Sequence, residues 1–197
     1  SDLFFSEYGE GSSNHKYIEI YNPTSSAISL AGYTVYLSGN GGSYTNTFTS
    51  NASIASGDVY VVSTNQADSI IQAAADTILS YPSIVHFNGD DALILFDGTD
   101  TIDVIGVPGV DPGSSWPVGS GSTANHTLVR MASITGGTTD WTTGALEWDV
   151  YPQNTWTYIG SHSSSCLSGG GGGPLPGACS DLFFSEYGEG SSNHKYI

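Results

Sequence analysis

The chain has 197 residues, of which nineteen are acidic and three basic, so its formal net charge is −16. Nucleic-acid-binding proteins need Lys and Arg to neutralise phosphates, so this charge argues against a DNA or RNA partner. A hydrophobic content of 38% argues against a disordered chain, and the lack of a run of about eighteen apolar residues argues against a membrane span.

Strand patterns dominate the first 160 residues. KYIEIYN (16–22) alternates along its length, which places Ile18 and Ile20 together on one face of a strand. ALILF and TIDVIG flank an Asp-Gly turn and predict a β-hairpin over residues 92–106. The remaining predicted strands are rich in β-branched and aromatic residues and lie at 33–37, 59–63, 127–131 and 155–160.

One stretch has a helical pattern. Residues 65–78 predict a helix, because an Ala-rich body follows Asn65, a residue type that commonly caps helix N-termini. Six or more short strands with one short helical crossover predict an all-β fold, a β-sandwich. Period-2 patterning assigns these residues to its core: Phe4, Ile18, Ile20, Val35, Val61, Leu93, Leu95, Ile105 and Leu128.

The composition changes sharply after His162. Residues 163–179 consist mainly of Gly, Ser and Pro without periodicity, so they predict a linker that follows a domain at 1–162. Cys166 and Cys179, the only cysteines, bracket its Gly/Pro segment. We expect them to form a disulfide, with two free thiols or a bond to a neighbouring chain as the alternatives.

The first eighteen residues recur without change at the end of the chain, at residues 180–197. The distance along the chain between the two copies is too long for a solenoid repeat and fits one whole domain. Residues 180–197 therefore predict the start of a second identical repeat. Two arrangements explain the restart: a covalent tandem array, or strand exchange in which this segment completes a neighbouring copy. We assign these residues to the inter-repeat segment: Ser180, Leu182, Phe183, Phe184, Tyr196 and Ile197.

Several motifs resemble the lamin-tail domain family. They are LFFSEYGEGSSNHKYIEIYNPT (3–24), ISLAGYTVYL (28–37), FNGDDALILF (87–96), IDVIG (102–106) and DPGSSW (111–116). The resemblance covers about residues 3–162 in the family's order, and it is closest to the bacterial, secreted form. It implies an immunoglobulin-like β-sandwich. It transfers no catalytic residues, because the module is not known as an enzyme.

The best candidate for a ligand site is acidic. Asp-rich loops supply the oxygen ligands that calcium prefers, and five aspartates are candidates to converge with Glu7 or Glu10: Asp90, Asp91, Asp97, Asp100 and Asp111. Their spacing matches no EF-hand or calcium-binding repeat. Asp-Gly and Asn-Gly are also ordinary turn formers, so a structural role is the alternative. We predict no cofactor other than calcium.

No catalytic arrangement is evident in the sequence. The histidines lack metalloprotease spacing and there is no nucleophile elbow, so we predict that the protein is not an enzyme.

Lys16 has two interpretations: a solvated lysine at a strand end near Glu7 or Glu10, or a covalent bond to an Asn or Asp. Four tryptophans either stack on sugars or fill the core: Trp116, Trp141, Trp148 and Trp156.

A domain-length repeat without an active site favours a structural role. The acidic, Lys-poor composition, rich in Ser, Thr and Gly, suits an extracellular protein, with any export signal removed or outside this sequence. We therefore expect a repeat of an extracellular fibre or surface stalk, whose partners are copies of itself. The alternatives are a calcium- or carbohydrate-binding adhesion module with a cell-surface or polysaccharide ligand, and an accessory domain of a secreted hydrolase.

Overall fold

The computed structural model describes residues 2–164 and, as backbone alone, the short strands at 188–189 and 195–196. Cys166 and Cys179 lie outside the described residues, so their disulfide stays a prediction. The same holds for most of the inter-repeat segment: Ser180, Leu182, Phe183, Phe184 and Ile197.

The described residues form short strands and two short helices. The strands are β1 (Phe4–Glu10), β2 (Lys16–Tyr21), β3 (Ile28–Ser29), β4 (Thr34–Ser38), β5 (Asn46–Phe48), β6 (Ser53–Ile54), β7 (Val59–Thr64), β8 (Thr77–Leu79), β9 (Ala92–Phe96), β10 (Thr101–Ile105), β11 (Pro117–Val118), β12 (Gly121–Ser122), β13 (His126–Arg130), β14 (Trp148–Pro152), β15 (Gly188–Glu189) and β16 (Lys195–Tyr196). The helices are α1 (Ser69–Ala74) and α2 (Trp141–Gly144). In this part of the chain, neither helix is long and apolar enough to cross a membrane.

Two sheets form the body of the domain. The larger has six strands in the order β14-β13-β1-β2-β7-β8, and the smaller has four in the order β10-β9-β4-β5. Neighbouring strands run antiparallel except for β7 and β8, which are parallel. Apolar side chains from both sheets form the main core between them, which confirms the predicted all-β sandwich. The second helix, α2, was not predicted.

All nine predicted core residues are buried. Seven of them belong to the cluster between the sheets, but Val61 belongs to a second cluster and the ring of Phe4 packs against Tyr21. Phe5 and Val62 point between the sheets in their place. Successive strand residues point to opposite faces of a sheet. The predicted facing of β1 and β7 was off by one residue, which explains why Phe4 and Val61 do not lie between the sheets.

The outer face of the six-stranded sheet is also covered. Tyr17 and Val61 form a cluster there with Ile71 of α1, and Trp156 packs against it. As a result, every residue of β2 is buried, including those that alternate with Ile18 and Ile20. Burying one large apolar side chain stabilises the fold by about 1.5–3 kcal/mol, so this second layer adds to the main core.

The predicted helix at 65–78 is shorter than expected. Asp68, not Asn65, is its N-cap, accepting a hydrogen bond from the backbone N–H of Ile70 at 2.9 Å. The helix ends at Ala74, because Asp76 bonds to the edge of β7 through its own N–H and through its carboxylate. This contact directs the following residues into β8, where the sequence predicted helix.

The prediction of a last strand at 155–160 was wrong. The last strand of the sheet is β14, and it already pairs with β13 at that edge. Residues 155–160 instead form turns over the outer face, where Trp156 packs and the N–H of Gly160 donates to Glu19 at 2.7 Å. The aromatic and β-branched residues that suggested a strand serve packing instead, since Trp156 and Ile159 lie against the outer cluster without pairing to the sheet.

Candidate functional site

Four of the five candidate aspartates lie in turns at the two ends of β9. At one end, Asp91 accepts backbone hydrogen bonds from Asn40 at 2.8 Å and from Asn88 at 2.6 Å. At the other end, Asp97 accepts from the backbone N–H of Asp100 at 2.7 Å. A five-residue strand spans roughly 17 Å, so these two groups of carboxylates do not meet.

Asp90 and Asp111 do not close a site either. Asp90 is half-buried in the turn before β9, and the exposed Asp111 accepts a hydrogen bond from the N–H of Gly113 at 2.7 Å. Within residues 2–164, no group of three or more His, Cys, Asp or Glu side chains is arranged to hold a metal ion. The aspartates act here as turn formers, and calcium binding stays a prediction.

Lys16 is buried, contrary to the expectation of a solvated strand end. Only 5% of its surface is exposed. Its Nζ donates to Oε1 of Glu10 at 3.0 Å and to the carbonyl oxygen of Phe87 at 2.5 Å. A third oxygen, Oδ1 of Asn88, lies 3.3 Å from the same Nζ. An amine, a carboxylate and a carboxamide therefore meet where β2 of one sheet approaches the loop before β9 of the other.

Two buried glutamates, Glu7 and Glu19, stand opposite each other on β1 and β2. The hydroxyl of Tyr17 donates to Glu7, and Glu19 accepts from the hydroxyl of Ser6 and the N–H of Gly160, both at 2.7 Å. Burial raises the pKa of Glu7 to about 8, against the opposing effect of its hydrogen bond. Burial likewise raises the pKa of Glu19 to about 7. Near neutral pH these groups therefore keep protons that an exposed glutamate would have lost.

Arg130 and Asp103 form a buried ion pair between the sheets. Nη2 of Arg130 on β13 lies 2.8 and 2.9 Å from the two carboxylate oxygens of Asp103 on β10. Asp103 also accepts from the N–H groups of Phe5 at 2.9 Å and Thr138 at 3.0 Å. The guanidinium carbon lies 4.5 Å from the ring centre of Trp148. The ion pair ties the two sheets together, and Nε of Arg130 lies 3.6 Å from a second carboxylate, Oε2 of Glu147. Among the described residues, Nε and Nη1 of Arg130 have no hydrogen-bond partner.

The tryptophans and His162 occupy packing positions. Trp116, Trp141 and Trp148 are buried, so none of the three is available to stack on a sugar. Trp156 is half-buried in the outer cluster. Burial, together with the nearby guanidinium, lowers the pKa of His162 to about 4, so this ring is neutral at physiological pH.

A surface depression near β4 and β5 carries no reactive groups. It is lined mainly by apolar side chains, with no acid, amine, imidazole or thiol: Ile20, Leu30, Tyr33, Val35, Phe48 and Leu95. Substrate sites combine an apolar cavity with convergent polar groups. Besides its apolar side chains, this depression offers only the hydroxyls of Tyr33, Thr49 and Ser50.

Sequence reasoning missed the buried polar groups. A signal existed for Asp103, which is flanked by apolar residues in TIDVIG, and for Arg130, the only arginine of the chain. No comparable signal marked Glu7 and Glu19, because a strand residue that alternates with apolar neighbours normally faces water. Their cover comes from parts of the chain that lie far away in sequence.

Comparison with known proteins agrees with this fold. The profile of the Lamin Tail Domain family matches residues 1–109, a range that contains β1 to β10 and thus all of the smaller sheet. No curated protein and no solved structure gives a significant match to the chain. The family has an immunoglobulin-like fold and is generally non-catalytic, which agrees with the sandwich and its structural polar clusters. Because the match covers more than half of its residues, the chain belongs to the Lamin Tail Domain family.

Proposed function

We propose that this protein is a non-enzymatic structural repeat of an extracellular fibre or surface stalk. The observation that carries the proposal is the hairpin of the repeated segment, in which β15 and β16 pair Glu189 with Lys195. In the first copy, β1 and β2 pair Glu10 with Lys16 in the same register. The second copy thus makes the same local hairpin as the first.

In the first copy, the rest of the domain encloses both strands of this hairpin. There, β1 lies between β13 and β2, and β2 lies between β1 and β7. Leu3, Phe4 and Phe5 are fully buried, and the repeat has the same residue types at Leu182, Phe183 and Phe184. Identical apolar side chains have the same tendency to leave water. We infer that the rest of a second domain covers them in a tandem array, or that a neighbouring copy does so by strand exchange.

The buried polar groups of the domain fit a structural role in a fibre. The Arg130–Asp103 pair and the Lys16 cluster both connect one sheet to the other. Their charges are enclosed and partnered inside the fold, whereas an active site needs polar groups that a substrate can reach.

The linker at 163–179 completes the proposal. A disulfide between Cys166 and Cys179 would shorten the effective tether between neighbouring domains. A domain of this size is roughly 40 Å across by the usual scaling of the radius of gyration, so an array would advance by roughly 40–50 Å per repeat.

The length of the native chain tests the proposal. In a tandem array, denaturing mass spectrometry finds a chain with several copies of residues 1–179. In strand exchange, it finds a shorter chain that assembles through 180–197, and Phe184→Asp abolishes assembly while the first domain stays folded. Ser180→Asp is the matched control, because it introduces the same charge at a small polar residue. A native chain with one domain that forms no assemblies would contradict both arrangements.

A further inference from the structure

The Lys16 cluster places three mutually reactive groups within hydrogen-bonding distance. The amine of Lys16 lies 3.0 Å from the carboxylate of Glu10 and 3.3 Å from the carboxamide oxygen of Asn88. We propose that Lys16 and Asn88 become joined by an intramolecular isopeptide bond, with Glu10 as the acid–base group. The inference rests on this geometry alone and does not depend on the fibre proposal.

The reaction balances without a cofactor or an oxidant. Glu10 first accepts one proton from the Lys16 ammonium, which frees the lone pair of Nζ. Nζ then attacks Cγ of Asn88, so an N–C bond forms while the bond from Cγ to Nδ2 breaks. The second proton that Nζ loses passes to the departing nitrogen, which leaves as ammonia and carries the proton held by Glu10 into water as ammonium. The product is a secondary amide, and the chain loses the mass of one ammonia molecule.

The fold holds the amine and the base in place. Glu10 stands directly opposite Lys16 in the register of β1 and β2. Its second oxygen accepts a hydrogen bond from the N–H of Asn125. Glu10 is 8% exposed and Lys16 5%, and the Lys16 Nζ lies 5.7 Å from the ring centre of Phe87. Fixing reactants in contact replaces an encounter between separate molecules, which lowers the barrier of a reaction that is otherwise very slow.

The carboxamide has a route for its leaving group. The Asn88 side chain is exposed to solvent, and in residues 2–164 its Nδ2 makes no hydrogen bond with the protein. Ammonia can therefore depart into water, and its dilution makes the reverse reaction unfavourable. The new bond would connect β2 of the six-stranded sheet to the loop before β9 of the four-stranded sheet, across a sequence separation of 72 residues.

Mass spectrometry of the full chain tests the proposal. The folded protein is incubated at neutral pH, denatured, and analysed intact and after digestion with trypsin, which cleaves after Lys and Arg. We expect the intact mass to be lower by one ammonia. We also expect no cleavage after Lys16, so that residues 1–130 remain one peptide, in which fragmentation locates an internal cross-link between Lys16 and Asn88. An unchanged mass with complete cleavage after Lys16 overturns the proposal.

Asn88 precedes Gly89, so succinimide formation is the reaction that must be distinguished. It also releases ammonia, but it needs neither Lys16 nor Glu10. Lys16→Arg keeps the positive charge and removes the amine, and Glu10→Gln keeps the shape and removes the base. We expect both variants to retain the full mass. Loss of ammonia in Lys16→Arg to the same extent as in the wild type shows a succinimide and overturns the proposal, whether or not the other variant folds.

Discussion

The buried carboxyl group of Glu7 predicts that the domain becomes less stable as the pH rises. The hydroxyl of Tyr17 donates to one oxygen of Glu7, while the other oxygen has no hydrogen-bond partner among the described residues. Burial raises the pKa of Glu7 to about 8, from an ordinary value of 4.5. Glu7→Gln replaces this group with a neutral one of nearly the same shape, which still accepts the hydrogen bond from Tyr17.

The sign follows from proton linkage. The folded state holds the proton of Glu7 more tightly than the unfolded chain does, so the unfolded chain binds fewer protons between pH 4.5 and 8. The stability that protonated Glu7 contributes is therefore fully present below the unfolded pKa and is lost as the pH rises toward the folded pKa. The slope is about 1.4 kcal/mol per pH unit. Between pH 5 and pH 8 the loss amounts to about 3 kcal/mol in the free energy of unfolding.

Urea denaturation, followed by tryptophan fluorescence, measures this effect. We expect the two proteins to unfold at similar urea concentrations near pH 5, and Glu7→Gln to be more stable by about 3 kcal/mol near pH 8. Asp149→Asn is the matched control, because it removes a negative charge from an exposed position on β14. Its difference from the wild type should not grow with pH.

Taking the difference between variant and wild type isolates Glu7 from the other titrating groups. Burial also raises the pKa of Glu19, to about 7, which adds to the loss of stability at high pH. His162, with a pKa lowered to about 4, acts in the opposite direction, because its contribution is lost as the pH falls below 6.5. The contributions of Glu19 and His162 to stability are the same in the wild type and in Glu7→Gln, so they cancel in the difference. A difference that stays constant from pH 5 to pH 8 would refute the reasoning.

Three further predictions concern the sandwich and its linker. Gly9→Ala would place a Cβ 2.2 Å from the ring of Tyr17, so we expect a loss of about 1–3 kcal/mol in urea denaturation. Gly136→Ala, with open space around its Cβ, should change stability little. Asp103→Asn removes the nearest carboxylate from the buried charge of Arg130 and leaves only Glu147, 3.6 Å from Nε, and we expect a loss of about 3 kcal/mol by the same assay. Reduction of the two linker cysteines should loosen or lengthen the spacing of assembled domains in electron micrographs, without lowering the melting temperature of each domain.

The strands were predictable because their signals are local. Alternation at 16–22, and the Asp-Gly turn between the strands of 92–106, need no knowledge of the rest of the chain. Both appear where expected, as β2 and as the pair of β9 and β10. Gly98 in that turn has a φ of 97°, a left-handed conformation that glycine adopts without strain.

The polar interior was not predictable because its causes are distant. The outer face of β2 is covered by α1 and by residues 155–160, which follow it by more than forty positions. A local pattern shows that Glu19 alternates with isoleucines, but it cannot show that a second layer closes over that side. The same limit explains why β8 was predicted as helix, since the edge of β7 determines its course.

The small number of basic residues indicated where buried ion pairs lie better than the spacing of those residues did. Exposed acids can keep the surface soluble, so a lysine or arginine is not needed there. In the described part of the chain the two basic residues, Lys16 and Arg130, are both buried, each against a carboxylate. Removing either would leave a buried acid without its partner, which is strongly destabilising. In a chain this poor in positive charge, each basic residue is therefore a candidate for an interior ion pair.

The same argument extends to Lys195, the copy of Lys16 in the repeated segment. If a second domain or a neighbouring copy covers this segment, Lys195 is buried against Glu189, which faces it across β15 and β16. Brief acylation with an amine-reactive ester, read by peptide mapping, distinguishes covered from uncovered lysines. In native fibres we expect both lysines to resist labelling. In a 197-residue chain produced alone and kept monomeric, we expect Lys195 to react while Lys16 stays protected. Rapid labelling of the repeat lysine in intact fibres would mean that the second hairpin is uncovered, and the proposed continuity between repeats would be wrong.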